Sequence, residues 1–176
     1  MKISVVICII LVVFSCRQEK KDTQIQETPV ILDIQGHRGA RGLMPENTIP
    51  AFLEALKYDH VTTLELDLAV TRDGQLVVSH EPWFNHEICY DAVGEALNEN
   101  DSISLYSLTY EEVRQFDCGS KGNPKYPDQQ LLTVSKPLLK QVLDTVDYHI
   151  TLKSLSPGLR TFRAWVYKYR PVPERF

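Results

Sequence analysis

The chain has 176 residues, with 19 Lys and Arg against 23 Asp and Glu, and a formal net charge of -4 with neutral histidines. At 43% hydrophobic, 9% aromatic and 24% charged residues, its composition is that of one ordinary globular domain. The balance excludes a nucleic-acid binder, which shows as a strongly basic domain, and 8 Gly with 10 Pro exclude collagen-like and low-complexity chains.

After Lys2 the residues from Ile3 to Phe14 carry no charge and almost no polarity. The run matches the roughly 7–15-residue apolar core of a secretory leader and falls short of the roughly 20 residues a spanning helix needs. It ends at Val13-Phe14-Ser15-Cys16, where a small residue before Cys resembles a bacterial lipobox. Residues 1–15 are therefore expected to be a leader and Cys16 the lipidated residue. That makes the protein an exported, membrane-anchored lipoprotein, periplasmic or at the cell surface. Residues 16–28 are polar and mixed in charge, as a solvated tether would be. Export would permit Cys89 and Cys118 to pair, and no spacing signature decides whether they do.

The apolar run Val30–Ile34 predicts a strand, ending at Gln35-Gly36-His37-Arg38-Gly39. Asn47 or Thr48 as cap, Pro50 in the first turn and an Ile49, Phe52, Leu53, Leu56 stripe predict a helix from Thr48 to about Tyr58. Over Thr63–Val70, Leu64, Leu66 and Leu68 alternate with Glu65, Asp67 and Ala69, the pattern of a strand. Asp73-Gly74 then signals a two-residue hairpin loop. If Arg72 pairs with Gln75, Asp67 falls opposite His80 on one face. Leu108-Thr109-Tyr110-Glu111-Glu112 predicts a capped helix start. Gly119–Asp128 is turn-rich and expected to be an exposed loop, and a helix opening at Pro137 should bury Leu139, Val142 and Leu143. Residues 154–176 change character, with Arg160, Arg163, Lys168, Arg170 and Arg175 against Glu174 alone, and read as an atypical basic aromatic tail.

Singly, Glu65 and Asp67 could be the solvated face of an edge strand, and His37 a loop histidine. Together, a Gly-rich loop bearing His37 and Arg38, two carboxylates and a facing His80 point to cation-assisted cleavage of a phosphate ester. Two histidines divide acid and base roles. Arg38 offers a planar fork for phosphate oxygens, and carboxylates select a hard cation such as Ca²⁺ or Mg²⁺.

The ordered series Q-G-H-R-G-A, P-E-N-T, E-L-D, T-R-D-G and V-V-S-H resembles the glycerophosphodiester phosphodiesterases, over about Asp33 to Lys153. The resemblance implies an α/β fold, the N-terminal portion of a (β/α)₈ barrel in residues 29–153. It also implies hydrolysis of glycerophosphodiesters to an alcohol and glycerol 3-phosphate with a divalent cation. By motif, His37 and His80 would be the catalytic acid–base pair, Arg38 the phosphate binder, and Glu65 and Asp67 the metal ligands. Glu46 and Asn47 match a signature near the site or simply open the helix. The family's third metal-binding Glu sits on a strand that would correspond to His149–Leu152; here Thr151 holds its place, while Lys153 matches. A barrel needs roughly 200 residues or more, so the barrel is expected to be incomplete and its turnover weak or absent. The competing readings are a phospholipase C- or sphingomyelinase D-like diesterase and a noncatalytic lipoprotein.

Overall fold

The computed structural model describes residues 32–153 and 161–166, with side chains described for 32–148. The expected leader, tether and Cys16 lie outside the described residues, as do Val30 and Ile31.

At the centre is β2, Thr63–Val70, with the bounds expected from its alternation. Leu64, Leu66 and Leu68 pack on Phe52 and Ala55 of helix α1, Ile49–Ala55, on its C-cap Leu56, and on Val142 and Val146 of helix α3, Leu139–Lys153. The other face is buried too: Glu65 is 7% and Asp67 1% exposed, which removes the solvated-face reading. Burial on both faces is the condition of a barrel strand and not of an edge.

β1 is Gln35–His37, parallel to β2 with His37 beside Glu65. The expected strand at Val30–Ile34 is thus displaced along the chain. Leu32 is 69% and Ile34 38% exposed, whereas Gly36 is buried. The missing side chain of Gly36 lets the strand approach Ala55 and Leu64, where a Cβ would lie 3.1 and 3.3 Å away.

β3, Leu76–Val78, pairs antiparallel with β2 as Leu68–Val78 and Val70–Leu76. The hairpin loop holds three residues, Arg72, Asp73 and Gly74, between Thr71 and Gln75. Gly74 at φ 77° closes it, with its N–H on Thr71 O at 3.0 Å. This corrects the expected register by one residue: Asp67 lies opposite Ser79, whose N–H donates to Asp67 O at 2.9 Å, and not opposite His80.

Leu68 pairs with both Val78 and Val166, and Thr63–Glu65 pair with both β1 and β4, Thr161–Val166. β1 and β3 therefore follow one another along one edge of β2, while β4, parallel, holds the other. Two expectations change here. Tyr148–Lys153 is helical, the end of α3, so the strand at His149–Leu152 with Thr151 in a ligand position is overturned. The neighbouring parallel strand instead comes from within the stretch read as a tail, so the boundary at 153 is not the end of the sheet.

The long connection from Glu81 to Ser135 forms a second core of Phe84, Ile88, Leu105, Val113 and Phe116 with Ala69 and Val77 of the sheet. The Phe84 and Phe116 rings stack at 3.8 Å, and Cys89 and Cys118 are disulfide-bonded. A 3₁₀ turn at Leu105–Ser107 precedes α2, Tyr110–Val113, which opens with the expected Thr109–Glu112 capping box. In the turn-rich stretch Gly119 is buried rather than exposed, and a Cβ there would run into Leu132 O. Helix α3 starts two residues after Pro137, because residues 136–138 are occupied against β3: Pro137 O accepts from Val78 N at 2.8 Å and Leu138 bridges Val77. Val142 and Val146 form its buried stripe, while Leu143 is 38% exposed. Among the described residues no helix is long and apolar enough to cross a membrane.

Candidate active site

The strand arrangement determines the site. β1 runs up to His37 beside Glu65, and β3 runs the other way to Ser79 beside Asp67. The two ends meet over the carboxylate pair, so the H-R-G loop and the Ser79-His80-Glu81 segment converge there. The two segments reach the carboxylate pair, but the expected facing of Asp67 by His80 is not formed, because Ser79 takes that position in the register.

Glu65 Oε2 accepts from Arg38 N at 2.9 Å and lies 3.8 Å from His37 Nε2. The His37 side chain is 54% exposed, so it is open to a substrate. Arg38 is turned inward, its side chain only 12% exposed: Nη1 donates to Glu46 Oε1 at 2.6 Å and Nε lies 3.4 Å from Asp67 Oδ2. Burial pushes the guanidinium pKa down, but Glu46 and Asp67 outweigh it and hold it above the ordinary value. Asn47 is 3% exposed and donates from Nδ2 to Asp67 Oδ2 at 3.1 Å. Arg38 and Asn47 are the described non-glycine residues with positive φ, at 55° and 56°. They also carry the described buried side-chain atoms without a hydrogen-bond partner, Arg38 Nε and Asn47 Oδ1. Strain and unmet polarity on the same two residues is a feature of sites built for a ligand.

On the β3 side, His80 Nδ1 and Glu81 Oε1 are 2.9 Å apart. Lys136 Nζ donates to Ser79 Oγ at 2.8 Å, and Ser79 Oγ donates to Glu81 O at 2.7 Å. Burial drives the Lys136 amine below its usual range, partly offset by Glu81 and Glu46. Burial raises the Glu81 carboxyl, yet the bond to His80 and the charge of Lys136 bring it below the ordinary carboxylate value.

The sequence reading missed Ser79, Glu81 and Lys136. Glu81 is adjacent to His80, a signal that was there to use. Lys136 had none, because its place depends on residues 136–138 lying along β3.

The divalent cation implied by the resemblance fits this chemistry. Among the described residues no three of His, Cys, Asp and Glu gather as a metal site. Glu65 and Asp67 offer carboxylate oxygens and Asn47 an unpartnered amide oxygen, the donors a hard cation prefers. Glu46, Glu65, Asp67 and Glu81 against Arg38 and Lys136 leave the cluster two negative charges in excess. A dipositive ion neutralises that excess in a place where unpaired charge is expensive.

The model of the glycerophosphoryl diester phosphodiesterase family matches residues 37–158. A curated glycerophosphodiester phosphodiesterase of Bacillus subtilis is 31% identical over 125 residues, 67% of this chain and 39% of that protein. One from Bacillus altitudinis is 33% identical over 115 residues, 64% of this chain and 39% of its own length. The chain thus spans about two fifths of these relatives. Among solved structures, a protein of Silicibacter pomeroyi assigned to the same diesterases superimposes with a TM-score of 0.65 at 32% identity. The match covers 78% of this chain and 47% of that one. A phosphodiesterase of Oleispira antarctica, in complex with its product sn-glycerol-3-phosphate, shares the fold with a TM-score of 0.53 at 18% identity, over 78% and 46% of the two chains.

Proposed function

The chain belongs to the glycerophosphoryl diester phosphodiesterase family and carries part of its β/α barrel, and from that premise we propose that it hydrolyses glycerophosphodiesters to an alcohol and glycerol 3-phosphate. The observation that carries the proposal is the meeting of β1 and β3 over the buried Glu65–Asp67 pair, with His37 and His80 at the two strand ends.

The reaction needs one proton taken from the attacking hydroxyl and one given to the leaving alkoxide. The two histidines serve these roles. Glu81 accepting from His80 Nδ1–H fixes the tautomer whose Nε2 carries the lone pair, which suits His80 to take a proton. His37 stands with Nε2 toward Glu65 and its side chain exposed. Arg38, held by Glu46 and Asp67, contributes a fixed positive charge toward phosphate. A divalent cation held by Glu65 and Asp67 would supply further positive charge against the phosphate oxygens when bound.

Release of glycerol 3-phosphate from glycerophosphocholine, with Ca²⁺ or Mg²⁺ present, is the assay. His37→Ala and His80→Ala should each lower turnover by about 10²-fold or more. Full activity of either variant removes that histidine from the mechanism, and no turnover by the unsubstituted chain sinks the proposal in favour of the noncatalytic reading. Faster cleavage of intact phospholipids than of the water-soluble diester would reassign the substrate class.

Separately, we propose that the protein is held at a membrane through a lipid on Cys16, supported by the apolar run Ile3–Phe14 before Ser15-Cys16. The unsubstituted protein should sediment with membranes and be extracted by detergent, and Cys16→Ala should remain unprocessed. A soluble unsubstituted protein starting at another residue would refute it.

A further inference from the structure

Asn47 opens no helix. The cap of α1 is Thr48, whose Oγ1 accepts from Ala51 N at 3.4 Å. Asn47 precedes it with a backbone at φ 56°, its N–H on Arg38 O at 3.0 Å, and its side chain turned into the carboxylate cluster. The amide orientation there is decided by chemistry: Nδ2 faces Asp67 Oδ2 at 3.1 Å, and the reverse orientation would set oxygen against carboxylate oxygen. That leaves Oδ1 buried without a hydrogen-bond partner in a residue 3% exposed. A left-handed backbone and an unmet acceptor are both costs, and capping does not explain them.

We propose that Asn47 Oδ1 is a cation ligand of this site, a third protein oxygen beside Glu65 and Asp67. The inference rests on the reading of the site as one that takes a divalent cation. Three considerations support it. The acceptor is an amide oxygen, a donor that Ca²⁺ uses alongside carboxylates. Its own Nδ2 ties the Asn47 amide to Asp67, one of the two carboxylates assigned to the cation. The cluster of Glu46, Glu65, Asp67, Glu81, Arg38 and Lys136 is two charges short of neutrality, so a neutral oxygen completes the ligand set without adding to that excess.

The test is Ca²⁺ binding by calorimetry to the full 176-residue chain, repeated with Mg²⁺, alongside the melting temperature with and without the ion. Neither readout depends on turnover. Asn47→Gly keeps the positive φ without strain and removes the oxygen; it should weaken Ca²⁺ binding by about 10-fold or more. Asn47→Asp keeps an oxygen and removes the donor to Asp67. It should melt earlier without the ion and gain a larger Ca²⁺-dependent rise, with binding at least as tight as in the unsubstituted chain. Unchanged binding in Asn47→Gly overturns the proposal. Equal loss in both variants also overturns it, assigning Asn47 to positioning Asp67 through Nδ2. Failure of the unsubstituted chain to bind either ion overturns the cation reading itself, and this inference with it.

Discussion

Substituting Gly39 by Ala probes how the H-R-G loop is held against the barrel. Gly39 sits at φ 79°, and a Cβ there would lie 2.6 Å from the Ala51 carbonyl carbon and 2.8 Å from its Cβ and oxygen. Ala51 is wholly buried in α1, and its carbonyl accepts from Ala40 N at 2.9 Å, so the helix backbone has nowhere to withdraw. The left-handed conformation costs a side chain about 1–2 kcal/mol, and forcing a methyl into a filled space about 1–3 kcal/mol. Together that is about 2–5 kcal/mol, or a fall of about 1–2.5 M in the urea midpoint at an m-value near 2 kcal/mol per M. Two other glycines separate the contributions. Gly74 has φ 77° with nothing within 4 Å, so Gly74→Ala should show the conformational part alone, about 0.5–1 M. Gly42 has neither constraint, and Gly42→Ala should change stability by no more than about 0.5 kcal/mol. Urea unfolding followed by circular dichroism reads all three. A Gly39→Ala midpoint no lower than that of Gly74→Ala would refute the packing argument.

Burial pushes the Asp117 carboxyl up, but donors from Ser120 Oγ and the backbone N–H groups of Ser120, Gly119 and Val134 outweigh it and hold it below the ordinary value. A depressed carboxylate stabilises the fold above its unfolded pKa of about 3.9 and loses that contribution as pH falls through the folded value. Urea unfolding between pH 7 and pH 2 should therefore show Asp117→Asn less stable at neutral pH, with the gap closing in acid; a gap independent of pH would contradict the assignment. The Cys89–Cys118 bridge spans a sequence separation of 29. Chain-entropy reasoning assigns it about 3–4 kcal/mol. Dithiothreitol should lower the stability of the unsubstituted chain and leave the double Cys→Ser variant unaffected, and equal response of both would refute it.

Much of the site was legible because its signals are local. Alternation alone located β2 and set Glu65 and Asp67 on one face, since side chains of a strand point up and down by turns whatever it packs against. The Thr109 capping box and the cap of α1 were equally visible, being closed within four residues. The two histidines followed from their neighbours in the chain. What depended on long-range pairing was not decided locally. Asp73-Gly74 suits both a two-residue and a three-residue loop, and the pairing of Thr71 with Gln75 selects the longer one, moving His80 off Asp67. The stretch His149–Leu152, a strand by the family's pattern, belongs to α3 because the Val142–Val146 stripe carries the helix onto the sheet. Arg38 seemed a free fork for phosphate until Glu46 and Asp67 closed on it. Lys136 entered the site only through packing, carried by residues 136–138 along β3, and for Asn47 a left-handed turn ahead of α1 decided between helix cap and carboxylate cluster. Local periodicity specifies which face a residue occupies, but the buried charges that make a site are brought together by chain segments distant in sequence, and only the folded structure determines which of them meet.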